Sequence, residues 1–439
     1  MKQLLEGNEL LFEVPDCHST GKAPVVHLEN GLTLDEDNCF SSPTLILGST
    51  GSGKSTLIKQ FRKSVLKQAK QNGDIVVTFG AKPEMLEEAE EDDVIISITS
   101  RKPASCWNIF LEPAHSENPY ITLREITETL FAEAREKTTQ LFFPNAARDL
   151  FYGTCCYMFD YGRANNIVFT NADLVEFLET TPIHGTPDCP GWIDLADKFP
   201  EYFGSARDYI GENGSDQGLG VLSELRTLIS SVFYGSFAAE GTFSAIGTLK
   251  EGGRNIYVQY DYANAGYSSL IVLKVIIELL LKQGMSQSSN HKVWFFLDEF
   301  SLLPKIRHTL TDALSLGRDP GSNGKGGVRI IAAIQSAQLM CNHYTPTEAK
   351  TLLSLFPNMI CLRVMDEMSR EIISSRYGKA HYIYTIGGVG DKINVIHSVE
   401  NVISDTHFSM ITKKGQAICS LPAISSHPFF YDGYRKDLE

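Results

Sequence analysis

The stretch Gly48–Ser55 reads GSTGSGKS and matches GxxxxGK[ST] in full. Glycines at these positions let backbone N–H groups turn inward around phosphate oxygens, and the start of the following helix adds its positive dipole end. Lys54 then reaches the β- and γ-phosphates of a nucleotide, and Ser55 offers a hydroxyl to Mg2+. The expected binding set is Gly48, Ser49, Thr50, Gly51, Ser52, Gly53, Lys54, Ser55 and Thr56. An ordinary Gly/Ser turn is the plainer alternative, but an apolar run precedes the loop and a helical pattern follows it. The partner of such a loop is a strand that ends in a carboxylate. Val293–Glu299 reads VWFFLDE. Asp298 suits the Mg2+ shell through water, and Glu299 suits the general base that polarises water against the γ-phosphate. Taken alone, the pair is also compatible with a helix cap.

Two further side chains fit an ATPase built from several subunits. Gln335 ends the run VRIIAAI, where it can bond the γ-phosphate or the attacking water, or else cap the next helix. Arg318 lies in GRDPG, after the helix that follows the Asp–Glu pair. That position suits an arginine finger offered to a neighbouring subunit, and an ordinary surface arginine equally. The doubled carboxylate favours ATP hydrolysis, and no NKxD guanine-reading motif is present.

The elements that must position these residues alternate short β-rich runs with helical patterns, as in a parallel sheet flanked by helices. Strands are expected at Thr44–Leu47, Asp74–Phe79, Val94–Ile98, Asn255–Tyr260, Lys292–Leu297, Val328–Ile334 and Met359–Arg363. Most are apolar almost throughout, the mark of strands buried on both faces. A helix is expected from Lys54 to Gln71, stopped by Gly73, and others at Ser268–Lys282, Ile306–Leu316, Thr347–Leu355 and Glu367–Tyr377. Between Asn118 and Gly241 the pattern turns helical, with Thr122–Lys137, Pro144–Tyr161, Asn171–Leu178 and Leu219–Phe237. A loop with Pro187, Pro190 and Gly191 separates the last two. The expected class is therefore α/β: a nucleotide-binding domain over 1–117 and 242–439, with an all-α insertion over 118–241.

Composition narrows the class further. Of 439 residues, 43% are hydrophobic and 21% charged, which excludes disorder, collagen and coiled coil as the overall type. A net charge of −14 argues against a broad coat of nucleic acid and leaves a locally basic channel open. The acidic stretch Glu84–Asp93 reads as a solvated face or loop. The nine cysteines are scattered without CxxC spacing, as in reduced cytosolic proteins, and Cys155–Cys156 falls in a packed helix. The longest apolar run, Leu270–Leu281, carries Lys274 and Glu278 and is short of the ~20 residues that span a bilayer. Met1–Pro15 does not read as a signal peptide. A soluble, cytoplasmic protein is expected.

DEFSLLP (Asp298–Pro304), GRDPG and AAIQSAQLM (Ala332–Met340) together resemble the coupling-protein ATPases of type IV secretion and bacterial conjugation, in the FtsK/HerA-like branch of RecA-type motors. LILGSTGSGKST (Leu45–Thr56), SCWNIFLE (Ser105–Glu112), FFPNAARDLF (Phe142–Phe151) and the run Phe356–Gly378 are similar to the same family. The resemblance implies a RecA-like P-loop core with an inserted all-helical domain. It also implies an ATP- and Mg2+-dependent motor that brings DNA, a relaxase nucleoprotein or a secreted protein to a type IV secretion channel. Family members assemble as rings, usually hexamers, with DNA in the central pore. A HerA/FtsK-like translocase without a channel and an ATP-gated receptor remain alternatives. Three departures stand out. The family's usual pair of transmembrane helices is missing, so a separate anchor protein or a peripheral site at the inner face of the membrane is implied. Only Lys82 of Gly80–Pro83 matches the family's DPKG-like motif. The glycine-rich loop after Arg318 is long, and it either alters the finger or presents Lys325 and Arg329 elsewhere, for example toward a pore.

Overall fold

The structure is a computed structural model that describes residues 2–16, 19–211, 214–286, 290–306, 308–318, 326–387 and 393–433. It divides into two compact units, one of residues 1–80, 84–89 and 284–439, the other of 81–83 and 90–283.

In the first unit seven strands lie side by side in the order Phe429–Asp432, Gln416–Ser420, Asn358–Cys361, Thr44–Leu47, Val328–Ile334, Val293–Leu297 and Ile75–Gly80. The last five run parallel, and the first two join antiparallel at one edge. The parallel strands are fully buried, as their unbroken apolar runs require. The helix Lys54–Asn72 packs Ile58, Phe61 and Val65 on this sheet beside Ile46, Trp294 and Phe296. Gly73 ends it in the left-handed conformation, with its N–H on the carbonyl of Ala69. A separate three-stranded antiparallel sheet joins Lys2–Glu6, Lys379–Gly387 and Ile393–Asn401. Neither this sheet nor the two edge strands was legible in the sequence.

The start of the sheet carries a buried charge group. Glu36 accepts from Lys292 Nζ at 2.9 Å and from Arg329 Nε at 3.4 Å. Arg329 is therefore interior and does not face a pore, while Lys325 lies outside the described residues. The reason is the register of Val328–Ile334, which turns this one charged side chain toward a carboxylate far away in sequence. The stretch Glu84–Asp93 is mostly exposed or half-buried, as a solvated loop should be, with Glu88 drawn inward to pair with the buried Arg62.

The second unit holds a parallel pair, Val94–Ile96 beside Ile256–Gln259, and most of the helices. Strand Val94–Ile96 stops short of Ile98 because Ser236 takes the carbonyls of Ser97 and Ile98. The helices expected between 118 and 241 are Pro119–Lys137, Phe142–Asn165, Asn171–Thr180 and Asp216–Val232. Two more, Trp192–Lys198 and Pro200–Ile210, follow the proline-rich loop. Pro200 begins a helix here instead of ending one, since the first turn has no use for its missing N–H. Trp192 and Phe203 fill the core that these two helices share.

A buried carboxylate ties this unit together. Glu112 accepts from Trp107 Nε1 at 2.8 Å, Ser244 Oγ at 2.8 Å, and the backbone N–H groups of Ala245 at 2.7 Å and Ile246 at 3.0 Å. Burial raises its carboxyl above the ordinary range despite the four donors. Replacing Glu112 by Leu strands those donors, so the variant should lose about 3 kcal/mol or more. Urea unfolding followed by tryptophan fluorescence measures this, and an unchanged midpoint would refute the role given to Glu112.

Candidate nucleotide site

The loop Gly48–Ser55 leaves the sheet between two strand ends that hold it. Gly48 N–H donates to the carbonyl of Ile334 at 3.1 Å, and Ser49 N–H to that of Arg363 at 2.8 Å. Gly51 and Gly53 have φ of 78° and 104°, where a side chain is strained. A Cβ on Gly53 would also stand 3.1 Å from the Gly415 nitrogen. Gly415 N–H in turn donates to the Ser52 carbonyl at 2.9 Å. That clip from the far end of the chain was missed in the sequence reading, although Lys413–Lys414–Gly415 carries a turn signal.

The acidic strand end meets the loop. Asp298 is seated by its N–H on the Phe79 carbonyl at 2.8 Å. Glu299 has φ 63° and ψ 48°, a left-handed conformation that costs roughly 1 kcal/mol for a residue with a Cβ. In this position its Oε1 lies 3.4 Å from Lys54 Nζ and accepts from Gln335 Nε2 at 3.0 Å. Lys54 Nζ also donates to the Gly48 carbonyl at 3.3 Å. Both side chains of the Lys54–Glu299 pair are buried, at 6% and 8% exposure. Lys54, Glu299 and Gln335, far apart in sequence, thus converge on one point. Arg318 does not join them. It is exposed, and its carbonyl accepts from Arg329 Nη1 at 3.0 Å, at the opposite end of Val328–Ile334. With about 3.3 Å per strand residue, that end is about 20 Å from Gln335.

The site fits a nucleotide triphosphate with Mg2+. The glycines and Lys54 form a cradle that side chains would fill, and the exposed Ser55 stands at its rim. Among the described residues no group of three or more His, Cys, Asp or Glu gathers around a metal. Mg2+ at a phosphate needs fewer protein ligands, because phosphate oxygens and water complete its shell.

Fold and site together define a RecA-like P-loop nucleotide-binding protein. The chain belongs to the type IV secretion-system coupling proteins: the family model described as their DNA-binding domain matches residues 36–384. The relationship implied by the DEFSLLP and AAIQSAQLM segments is thus borne out. Among solved structures the chain is similar to the bacterial conjugative coupling protein TrwBdeltaN70, at TM-score 0.73 and 18% identity over 98% of this chain and 94% of that one. It is similar to TrwB in complex with the ATP analogue ADPNP, at 0.70 and 18% over 99% and 95%. VirB4 of Thermoanaerobacter pseudethanolicus is more distant, at 0.52 and 13% over 96% and 99%. No curated protein sequence matches the chain.

The convergence generates a paired expectation. Lys54→Ala should abolish ATP turnover. Glu299→Gln should keep MgATP affinity within a few-fold and lower turnover by about 10²-fold or more, the range of a lost general base. Binding by calorimetry and phosphate release measured on the same preparations test both. Wild-type turnover in either variant would remove that residue from the site.

Proposed function

We propose that this protein is an ATP-hydrolysing motor that recruits DNA or a nucleoprotein and drives it toward a type IV secretion or conjugation channel. The observation that carries the reading is the meeting of Lys54, Glu299 and Gln335 at the phosphate loop of a coupling-protein chain. TrwB, similar in fold, has been solved with ADPNP and with ADP and Mg2+, which supports ATP and Mg2+ as the ligands here.

Gly48–Thr56 binds the phosphates through backbone N–H groups, and Lys54 sets its charge against the β- and γ-oxygens. Mg2+ held by Ser55 and Asp298 supplies charge neutralisation when bound. As phosphate charge draws Lys54 away, the Glu299 carboxylate is free to accept a proton from the attacking water. Water oxygen bonds to the γ-phosphorus, the bond from that phosphorus to the bridging oxygen breaks, and ADP and phosphate leave. Gln335 keeps Oε1 of Glu299 aimed through its amide N–H.

Residues 1–117 and 242–439 form the nucleotide-binding domain, and 118–241 form the inserted domain that receives relaxase, nucleoprotein or secreted-protein cargo. The run of helices between Pro119 and Val232 supports this division. No helix among the described residues is long and apolar enough to cross a membrane. A peripheral position at the cytoplasmic face of the membrane, beside the channel, belongs to the same proposal.

The distance of Arg318 from its own Gln335 is an argument for a shared site. In a ring, taken as a hexamer, Arg318 of one subunit would stabilise the transition-state charge on its neighbour's γ-phosphate, an effect worth about 10³–10⁵ in rate. Specific ATPase activity should then rise with protein concentration or with DNA that templates a ring. Mixing inactive Arg318→Ala with inactive Lys54→Ala protein should restore part of the activity. Full activity of Arg318→Ala alone, or no recovery in rings verified as mixed, would defeat the shared site.

A further inference from the structure

The carbonyls of Ile334 and Arg363 hold the start of the phosphate loop by the N–H groups of Gly48 and Ser49. The second half of the loop, next to Lys54, is held in another way. There the Gly415 N–H reaches in and binds the Ser52 carbonyl at 2.9 Å. A trans peptide unit is planar, with its C=O and N–H on opposite sides. Fixing the Ser52 carbonyl toward Gly415 therefore turns the Gly53 N–H away from Gly415, as a phosphate cradle requires. The approach is close, since a Cβ on Gly53 would stand 3.1 Å from the Gly415 nitrogen and 3.3 Å from Lys414 Cγ.

The segment that presents Gly415 has no regular structure of its own. Thr412, Lys413 and Lys414 are exposed and belong to no strand or helix. Gln416 supplies the order that they lack. It is buried, and it opens the strand Gln416–Ser420 opposite Asp432. Its Oε1 accepts from the Thr412 N–H at 3.0 Å and from the Lys413 N–H at 2.9 Å. The Gln416 N–H donates to the Lys413 carbonyl at 3.3 Å, and the Gly433 N–H to the Gly415 carbonyl at 3.3 Å. Gly415 itself has φ 89°, which lets the chain turn sharply between these ties.

We infer that Gln416 is a positioning residue for the phosphate loop. Its amide oxygen locks the turn at 412–415, the turn presents the Gly415 N–H, and that N–H sets the peptide between Ser52 and Gly53. Gln416 acts through these backbone groups and needs no contact with nucleotide or water. The role rests on the reading of Gly48–Thr56 as the phosphate site. Removing the acceptor releases two N–H groups to water and lets the turn open. Only a fraction of molecules then keep the loop set for phosphate, and apparent affinity falls by that fraction. The loop holds phosphates both before and during transfer, so the loss raises KM and leaves kcat in place.

In the full chain, Gln416→Met should raise the KM for MgATP, and the dissociation constant read by calorimetry, about fivefold or more, with kcat within about twofold of wild type. Gln416→Glu keeps an acceptor at the same place and should return KM to within about twofold of wild type. Hydrogen exchange in the nucleotide-free protein should quicken at 412–416 and 49–55 in Gln416→Met, while the strand Ile75–Gly80 keeps its rate. An unchanged KM in Gln416→Met, a kcat that falls at constant KM, or an equal loss in Gln416→Glu overturns the role. If Gln416→Met does not fold, the wild type decides: MgATP should slow exchange at 412–416, and unchanged exchange there overturns the role. A wild-type protein that binds no MgATP overturns the phosphate site itself, and the role of Gln416 falls with it.

Discussion

The flush ending of neighbouring parallel strands is the constraint on which the site depends. Leu47 stands opposite Ile334 on one side and Cys361 on the other. Gly48 and Gln335 consequently leave the sheet at one level, and the carbonyls of Ile334 and Arg363 are in place to hold the first two N–H groups of the loop. Leu297 is opposite Ala332, so Glu299 arrives beside the end of the same neighbouring strand. A slip of one residue in any of these pairings would turn Glu299 or Gln335 to the other face of the sheet. The left-handed backbone of Glu299 then makes the final adjustment that brings its carboxylate to Lys54.

Charge is placed at both ends of these strands and nowhere between. At the C-terminal ends, Lys54 and Glu299 form a buried pair that Gln335 completes. At the N-terminal ends, Glu36 receives Lys292 and Arg329. Such groups add little net stability when intact, because desolvation offsets attraction, yet removing one partner costs about 3–5 kcal/mol. The apolar interior holds the strands together without specifying how far one slides along another. The charged ends do specify it, since a displaced strand would leave an ion without its partner.

The legible part of the fold follows from the same division. VWFFLDE and VRIIAAI announce buried parallel strands because nothing in them requires water, and GSTGSGKS announces its chemistry because glycine spacing and lysine are both indispensable to it. Lys54, Glu299 and Gln335, singled out separately in the sequence, lie together in the structure. Arg329 was not placed, because its partner Glu36 precedes it by most of the chain and no local pattern reveals the pairing. The strands Gln416–Ser420 and Phe429–Asp432 and the pairing of Lys2–Glu6 with Lys379–Gly387 were illegible for a related reason: antiparallel edges depend on long-range partners more than on local propensity. Helices Trp192–Lys198 and Pro200–Ile210 were hidden by a proline whose meaning depends on its position within a turn.

Val328–Ile334 joins two places with different tasks. Its C-terminal end delivers Gln335 to Glu299, and its N-terminal end carries Arg329, which holds the Arg318 carbonyl. Because the strand is buried and bonded on both sides, it cannot stretch or bend independently of its neighbours. Arg318 is thereby held at the end of the sheet away from its own subunit's phosphate loop. In the proposed ring that restriction becomes useful. A rigid strand relates the phosphate-contacting residue of one site to the arginine offered to the next, so a displacement at either end is passed to the other.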